Sequence, residues 1–176
     1  MLDGLENAYD GKAMGRFAQV TANEQGFSRE DMDRFAVHSL TRAQQAIRSG
    51  AFVEEIAPVT IQSRKGEIRF DVDEQPGNAK VDKIPTLRPA FAKDGTITAA
   101  NSSSISDGAA ALVLMREADA LSEGAPVLAK VVGYATHSMQ PELFTVAPVG
   151  AMTKLLNQLG WDKSDVDLWE INEAFA

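Results

Sequence analysis

The sequence predicts an α/β protein, and three observations carry that reading. Residues 109–115, 127–135 and 166–171 are strand-like apolar runs, and helical patterns at 116–124 and 147–160 alternate with them. Strand, helix, strand, helix, strand in that order is the pattern of a parallel sheet with crossover helices, whose other strands are expected to lie elsewhere. The run AAALVLM at 109–115 has no polar alternation, so it needs cover on both faces. Residues 28–50 add a capped amphipathic helix of 3.6-residue period.

Taken in order, Met14, Phe17, Ala18 and Thr21 fall at helical spacing, and Gly26 ends that pattern. Ser28 suits an N-cap, with Asp31 three residues on as a weaker capping box. Met32, Phe35, Ala36, Leu40, Ala43 and Ile47 form one apolar stripe, with Met32 and Phe35 read as core, and Arg48 and Gly50 suit the C-terminal end. His38, a lone histidine among polar neighbours, reads as a surface or boundary residue rather than a ligand or base. Residues 56–61 and 67–72 change to a strand period around a turn at 63–66, with Arg64 and Lys65 at a solvated tip. Residues 73–86 are rich in turn formers and charge and read as a loop.

Arg88 precedes a proline and is biased to extended backbone. Residues 95–115 then read as a short strand, a run of small polar residues, an Asp107-Gly108 bend and the apolar strand. A polar small-residue loop at the edge of a buried sheet is where α/β proteins place ligands. Read alone, a Ser-rich surface loop is the plainer account. A short helix at 116–124 is stopped by glycine, and the helix at 147–160 presents Met152, Leu155, Leu156 and Leu159 on one face. The strand at 166–171 runs into Asn172 to Ala176 with no turn, cap or polar tail. The chain is therefore expected to be an internal piece of a longer protein, exposing apolar strand edges in isolation.

Composition narrows the function classes. A net charge of -8 and a pI near 4.8 argue against nucleic acid or an anionic membrane as partner. No apolar run approaches the roughly 18–20 residues of a spanning helix, and the N-terminus lacks the basic and apolar regions of a signal peptide. There is no cysteine, which excludes disulfides, thiolate metal sites and a cysteine nucleophile within these residues. With two histidines, His38 and His137, no His-rich metal site is expected.

Several islands, in order, carry a resemblance. They are Asp3-Gly4-Leu5 with Ala13-Met14-Gly15, then Ser28-Arg29-Glu30-Asp31 leading to Phe35-Ala36, close to the pattern S-R-x-x-x-D-x-F-A. Arg88-Pro89-Ala90-Phe91 and Gly95 to Ser103, GTITAANSS, follow, and then Asp107-Gly108-Ala109-Ala110-Ala111 and Asn172-Glu173-Ala174-Phe175-Ala176. Together, over nearly the whole chain, they resemble the thiolase family, enzymes that cleave or form 3-oxoacyl-CoA. The resemblance implies a thiolase-like fold fragment. Residues 1–94 would be a CoA-binding α/β loop domain, 95–124 the end of the N-terminal catalytic half and 125–176 the start of the C-terminal half. The two halves would be pieces of layered αβαβα cores.

It also implies an acyltransferase of CoA thioesters, as in fatty acid metabolism, with acyl-CoA and CoA as substrates and no cofactor or metal. The nucleophilic cysteine would precede Met1, and the G-H-P histidine and second cysteine would follow Ala176, leaving the fragment itself inactive. Asn172 matches the asparagine that holds an oxyanion-stabilising water. Ser103 matches a serine that hydrogen-bonds pantetheine, and Ala99 is small where the ligand passes. Met14, Phe91, Phe144, Ala174 and Phe175 match positions lining the apolar tunnel. The family further implies a homo-oligomer, dimer or tetramer; a cytoplasmic location is expected for the chain. Ala13 departs from a frequent histidine, and residues 73–85 lack the family's usual arginine, which leaves Lys80, Lys83 or Arg64 as phosphate contacts. The competing account is a non-catalytic CoA-binding or oligomerisation module of the same fold.

Overall fold

The computed structural model of the chain describes residues 2–176. Met1, the first residue of the expected loop domain, lies outside them. The chain divides into two compact units, residues 1–103 with 173–176, and residues 104–172.

The first unit is built on two consecutive helices. After a single turn, α1 (Leu2–Leu5), come α2 (Met14–Gln25) and α3 (Arg29–Ser49). Both end on a glycine in the left-handed region, Gly26 at φ 70° and Gly50 at φ 69°, where a side chain would be strained. Their N–H groups close onto the last-turn carbonyls of Ala22 and Asn23, and of Ala46 and Ile47. Ser28 caps α3 as the sequence predicts: its Oγ accepts from the Asp31 N–H at 3.0 Å and donates to the Asp31 carboxylate at 2.7 Å.

The Ser28 hydroxyl first, and Arg34 second, hold the Asp31 carboxyl below the usual carboxylate range. The folded value is the lower one, so this contribution is present above the unfolded carboxylate pKa. It is lost as pH falls through the folded one. Ser28→Ala is expected to cost about 1 kcal/mol of stability at neutral pH. The gap between variant and parent should narrow in acid; urea melts at the two pH values measure both.

The core of this unit gathers Ala18 and Ala22 from α2, Met32 from α3 and Ile97 from the later loop, with Phe91, Phe175 and Ala176 packed alongside. Ile97 is 1% exposed. Gly15 faces the Phe91 ring so closely that a Cβ there would overlap it, so the first turn of α2 can only accept a glycine at that contact. Phe35 corrects the sequence reading. It is 43% exposed, because it lies on the part of the stripe that borders an open groove rather than on the part facing Ala18 and Ile97.

β1 (Val59–Ser63) and β2 (Gly66–Phe70) pair antiparallel, with Val59 opposite Phe70 and Ile61 opposite Ile68. The period-2 pattern thus puts four apolar side chains on one face, all of them exposed. The Ser63 hydroxyl closes the tip by donating to the Gly66 carbonyl at 2.7 Å.

Residues 73–86 are not a plain loop. They form α4 (Glu74–Asn78) and a 3-10 helix, Val81–Thr86. What orders them comes from α3: Gln44 Nε2 donates to the Pro76 carbonyl at 2.8 Å, and Arg29 Nη2 donates to the carbonyls of Ile84 and Leu87 at 3.0 Å each. Pro76 and Ile84 are buried as a result.

The second unit holds α5 (Glu117–Ser122), a 3-10 turn at Pro141–Leu143, α6 (Ala147–Leu159) and a 3-10 turn at Lys163–Asp165. Gly160 at φ 65° stops α6 as expected. Gly133 runs so close to α6 that a Cβ there would meet Leu155 and Leu159 at 3.1 Å. Lys130 and Glu117 pair at 2.7 Å.

The expected strands at 109–115, 127–135 and 166–171, and the short strand expected to open residues 95–115, form no ladder, and no turn forms at Asp107-Gly108. The hairpin is the only sheet among the described residues. A strand persists through hydrogen bonds to a neighbour, and no described segment supplies one to these runs. Their apolar side chains stay exposed accordingly: Leu112, Val113 and Leu128 are 85%, 87% and 94% accessible.

Candidate functional site

The site centres on residues 95–103, which three elements pin to the first unit. From α2, Gln19 Oε1 accepts the N–H groups of Thr96 at 2.8 Å and Ile97 at 3.2 Å, and its Nε2 donates to Thr96 Oγ1 at 3.0 Å. From α3, Asp33 Oδ1 accepts Asn101 Nδ2 at 3.0 Å. From the chain's last residues, the Ala174 carbonyl accepts the Ser103 N–H and the Ala176 N–H donates to the Asn101 carbonyl, both at 2.9 Å. An isolated antiparallel bridge, Ser102 to Phe175, lies between those two bonds.

The consequence is a sorted loop. Thr98 and Asn101 are buried at 0% and 3%, whereas Ala99 and Ser103 are exposed. Ser102 Oγ donates to the Thr98 carbonyl at 2.7 Å, so the turn is also closed on itself. Beside it runs a groove of about 210 Å³ lined by Phe35, Ser39 and Leu40 of α3, Asn101, Ser103 and Glu173. Ser39 Oγ donates to a Glu173 carboxylate oxygen at 2.6 Å across that groove.

Of the sequence-predicted residues, the structure brings Phe91, Ser103, Ala174 and Phe175 together in the first unit. The Phe91 and Phe175 rings meet edge to face, with centroids 6.3 Å apart and planes at 76°. Met14 opens α2 next to Gly15, against which Phe91 lies. The loop leading to it is closed by a bridge from Glu6 to Ala13 and by an Asp10–Lys12 ion pair at 2.8 Å. The Lys12 hydrogen bond holds the Asp10 carboxyl below its usual range. Ala99 stands on the same loop as Ser103, facing solvent. Phe144 and Asn172 belong to the second unit: Phe144 is half-buried at the end of the 3-10 turn, and Asn172 is exposed.

Sequence reasoning missed Gln19, Asp33 and Asn101, the side chains that hold the loop. Asp33 carried a legible signal, since it is the D of the S-R-x-x-x-D-x-F-A pattern, given no role there, and lies one helical turn from Arg29, whose Nε donates to Asp33 Oδ2 at 2.7 Å. Asn101 lies inside the GTITAANSS motif, where resemblance assigns it no role. A polar Gln19 among Phe17, Ala18 and Ala22 on the buried face of α2 was the remaining hint. Among the described residues there is no cluster of side chains able to hold a metal ion, and no helix long and apolar enough to cross a membrane.

Comparisons with known proteins agree on one family. Residues 1–118 match the family model described as thiolase, N-terminal domain, and residues 125–176 match thiolase, C-terminal domain. The chain is 48% identical to a mitochondrial acetyl-CoA acetyltransferase of Gibberella zeae, over 99% of this chain and 41% of that protein. It is 44% identical to an acetyl-CoA acetyltransferase of Pseudomonas aeruginosa, over 99% of this chain and 45% of that one. Among solved structures, Bacillus anthracis acetyl-CoA acetyltransferase superposes with a TM-score of 0.93 at 40% identity, over 97% of this chain and 44% of that one. An Ascaris suum thiolase solved in complex with coenzyme A gives 0.91 at 41% identity, over 99% and 45%. The chain thus spans less than half the length of the relatives it matches. With an N-terminal and a C-terminal thiolase match in sequence order and a fold shared with solved thiolases, the chain belongs to the thiolase family.

Proposed function

We propose that the chain is the CoA-thioester-binding portion of an acyl-CoA thiolase that transfers acyl groups between CoA thioesters. One observation carries the reading: almost the whole chain aligns, at more than 40% identity, with acetyl-CoA acetyltransferases. The clamped loop with exposed Ala99 and Ser103 supports it from the side of geometry.

In this reading the Ser103 hydroxyl hydrogen-bonds the pantetheine arm and Ala99 leaves room for it. Met14, Phe91, Ala174 and Phe175 of the first unit supply apolar wall along the acyl and pantetheine path, and Phe144 of the second unit is assigned to that path by the family resemblance alone. Asn172 fixes a water that donates to the thioester or enolate oxygen as charge develops there, because an amide orients a water without adding charge. The chain has no cysteine, so the thiolate that takes the acyl group and the base that removes the α-proton of acetyl-CoA come from outside these 176 residues. CoA thioesters are substrates, and no cofactor takes part. The organisation is 1–94 as loop domain, 95–124 as the end of the first catalytic half and 125–176 as the start of the second. The working protein is a cytoplasmic homo-oligomer, a dimer or tetramer.

The absence of cysteine favours a second reading, a CoA-binding or oligomerisation module without chemistry. Thiolysis of acetoacetyl-CoA separates the two. The full-length protein carrying this sequence is expected to turn over and the 176-residue chain is not. Turnover by the cysteine-free chain overturns the covalent mechanism, and inactivity of the full-length protein with intact CoA binding favours the module.

A further inference from the structure

We propose that Asn101 and Asp33 are a positioning pair that sets how Ser103 is presented to the CoA thioester. This deepens the reading above and rests on it. The Asn101 carboxamide has two N–H donors and an acceptor oxygen, and all are used while the residue is 3% exposed. Its Nδ2 donates to Asp33 Oδ1 and to the Thr96 carbonyl, both at 3.0 Å. Its Oδ1 accepts the Thr98 N–H at 2.7 Å. The turn between Thr96 and Ser103 is therefore wrapped around one side chain.

Asp33 gives that side chain a fixed anchor. Its other oxygen is held by Arg29, whose far end grips the carbonyls of Ile84 and Leu87. The chain of bonds runs from residues 84–87 through the first two turns of α3 to Asn101. From there the Asn101 carbonyl reaches Ala176, and the Ser103 N–H reaches Ala174. Ser103, two residues from the anchor and exposed, inherits its place from both ends. Neither Asn101 nor Asp33 touches substrate in this account; they act through Ser103.

The chemistry demands an amide. An aspartate in place of Asn101 would lose both donations and set a carboxylate against Asp33 and a carbonyl. The charged groups around it are Asp33 and Arg29 from α3, and Glu173, which lines the same groove. Two adjacent carboxyls cannot both ionise cheaply, so mild acid returns one proton to the pair and with it a donor. An Asn101→Asp variant should therefore recover function as pH falls.

The test uses the full-length protein in thiolysis, reading KM for CoA and kcat separately. N101D is expected to raise KM for CoA about tenfold near pH 8 and to recover to within about threefold of the parent near pH 6. In a Ser103→Ala background the same change should have an effect of less than about twofold, because its route to the ligand is gone. If N101D does not fold, Asn101→Ala in the same cycle decides, with a raised KM and no recovery in acid. An unchanged KM, or equal effects in the parent and in the Ser103→Ala background, overturns the positioning role alone. A parent protein without thiolysis or CoA binding overturns the proposed function and this pair together.

Discussion

Asp33→Ala is expected to remove about 3 kcal/mol of stability from the first unit, far more than any exposed acid in the chain. The Arg29–Asp33 pair is mostly buried, with side chains 20% and 11% accessible. Taking away the carboxylate leaves a mostly buried guanidinium without its counter-charge and an Asn101 donor without its acceptor. The penalty is the desolvation of both orphans, which water enters too poorly to repair. The Arg69–Asp71 pair is the natural control. At 2.8 Å it is within 0.1 Å of the buried pair, but its side chains are 64% and 43% accessible, so Asp71→Ala should change stability by less than about 0.5 kcal/mol. Urea denaturation of the two variants compares them directly, and equal losses would remove the network from the account of this fold.

Asn172→Ala in the full-length protein is expected to lower kcat for thiolysis about a hundredfold with little change in KM for CoA. A group that stabilises charge only as it develops contributes to the barrier and not to ground-state binding. Asn172 caps none of the described helices, and a role confined to the developing charge predicts an unchanged melting temperature. A rise in KM with kcat intact would place Asn172 with the binding residues instead. A large loss of stability would make it structural.

What could be read from the sequence was local. Ser28, Gly26, Gly50 and Gly160 mark helix ends through their own backbone preferences, and the stripes between them need no knowledge of distant residues. The hairpin was legible for the same reason, since β1 and β2 adjoin a turn that Ser63 itself closes. Residues 73–86 look structureless in sequence because their order is imposed by Gln44 and Arg29 from another element. The apolar runs at 109–115 and 127–135 read as strands, but pattern specifies only which faces want cover, not whether a partner stands beside them. At the site, the motif residues Ala99 and Ser103 could be named from resemblance. The clamp of Gln19, Asp33 and Asn101 joins residues up to 78 positions apart, which no periodicity reports.

The bridge from Ser102 to Phe175 also has a temporal meaning. The first unit is discontinuous: residues 104–172 leave it and 173–176 return. During synthesis, α2, α3 and the hairpin can form as soon as they emerge, yet the Ser103 N–H and the Asn101 carbonyl must wait for Ala174 and Ala176. Closing so long a loop slows the step through its entropy more than it weakens the product. The stretch from Asn101 to Ser103 thus gains these two backbone bonds only after the second unit has been made.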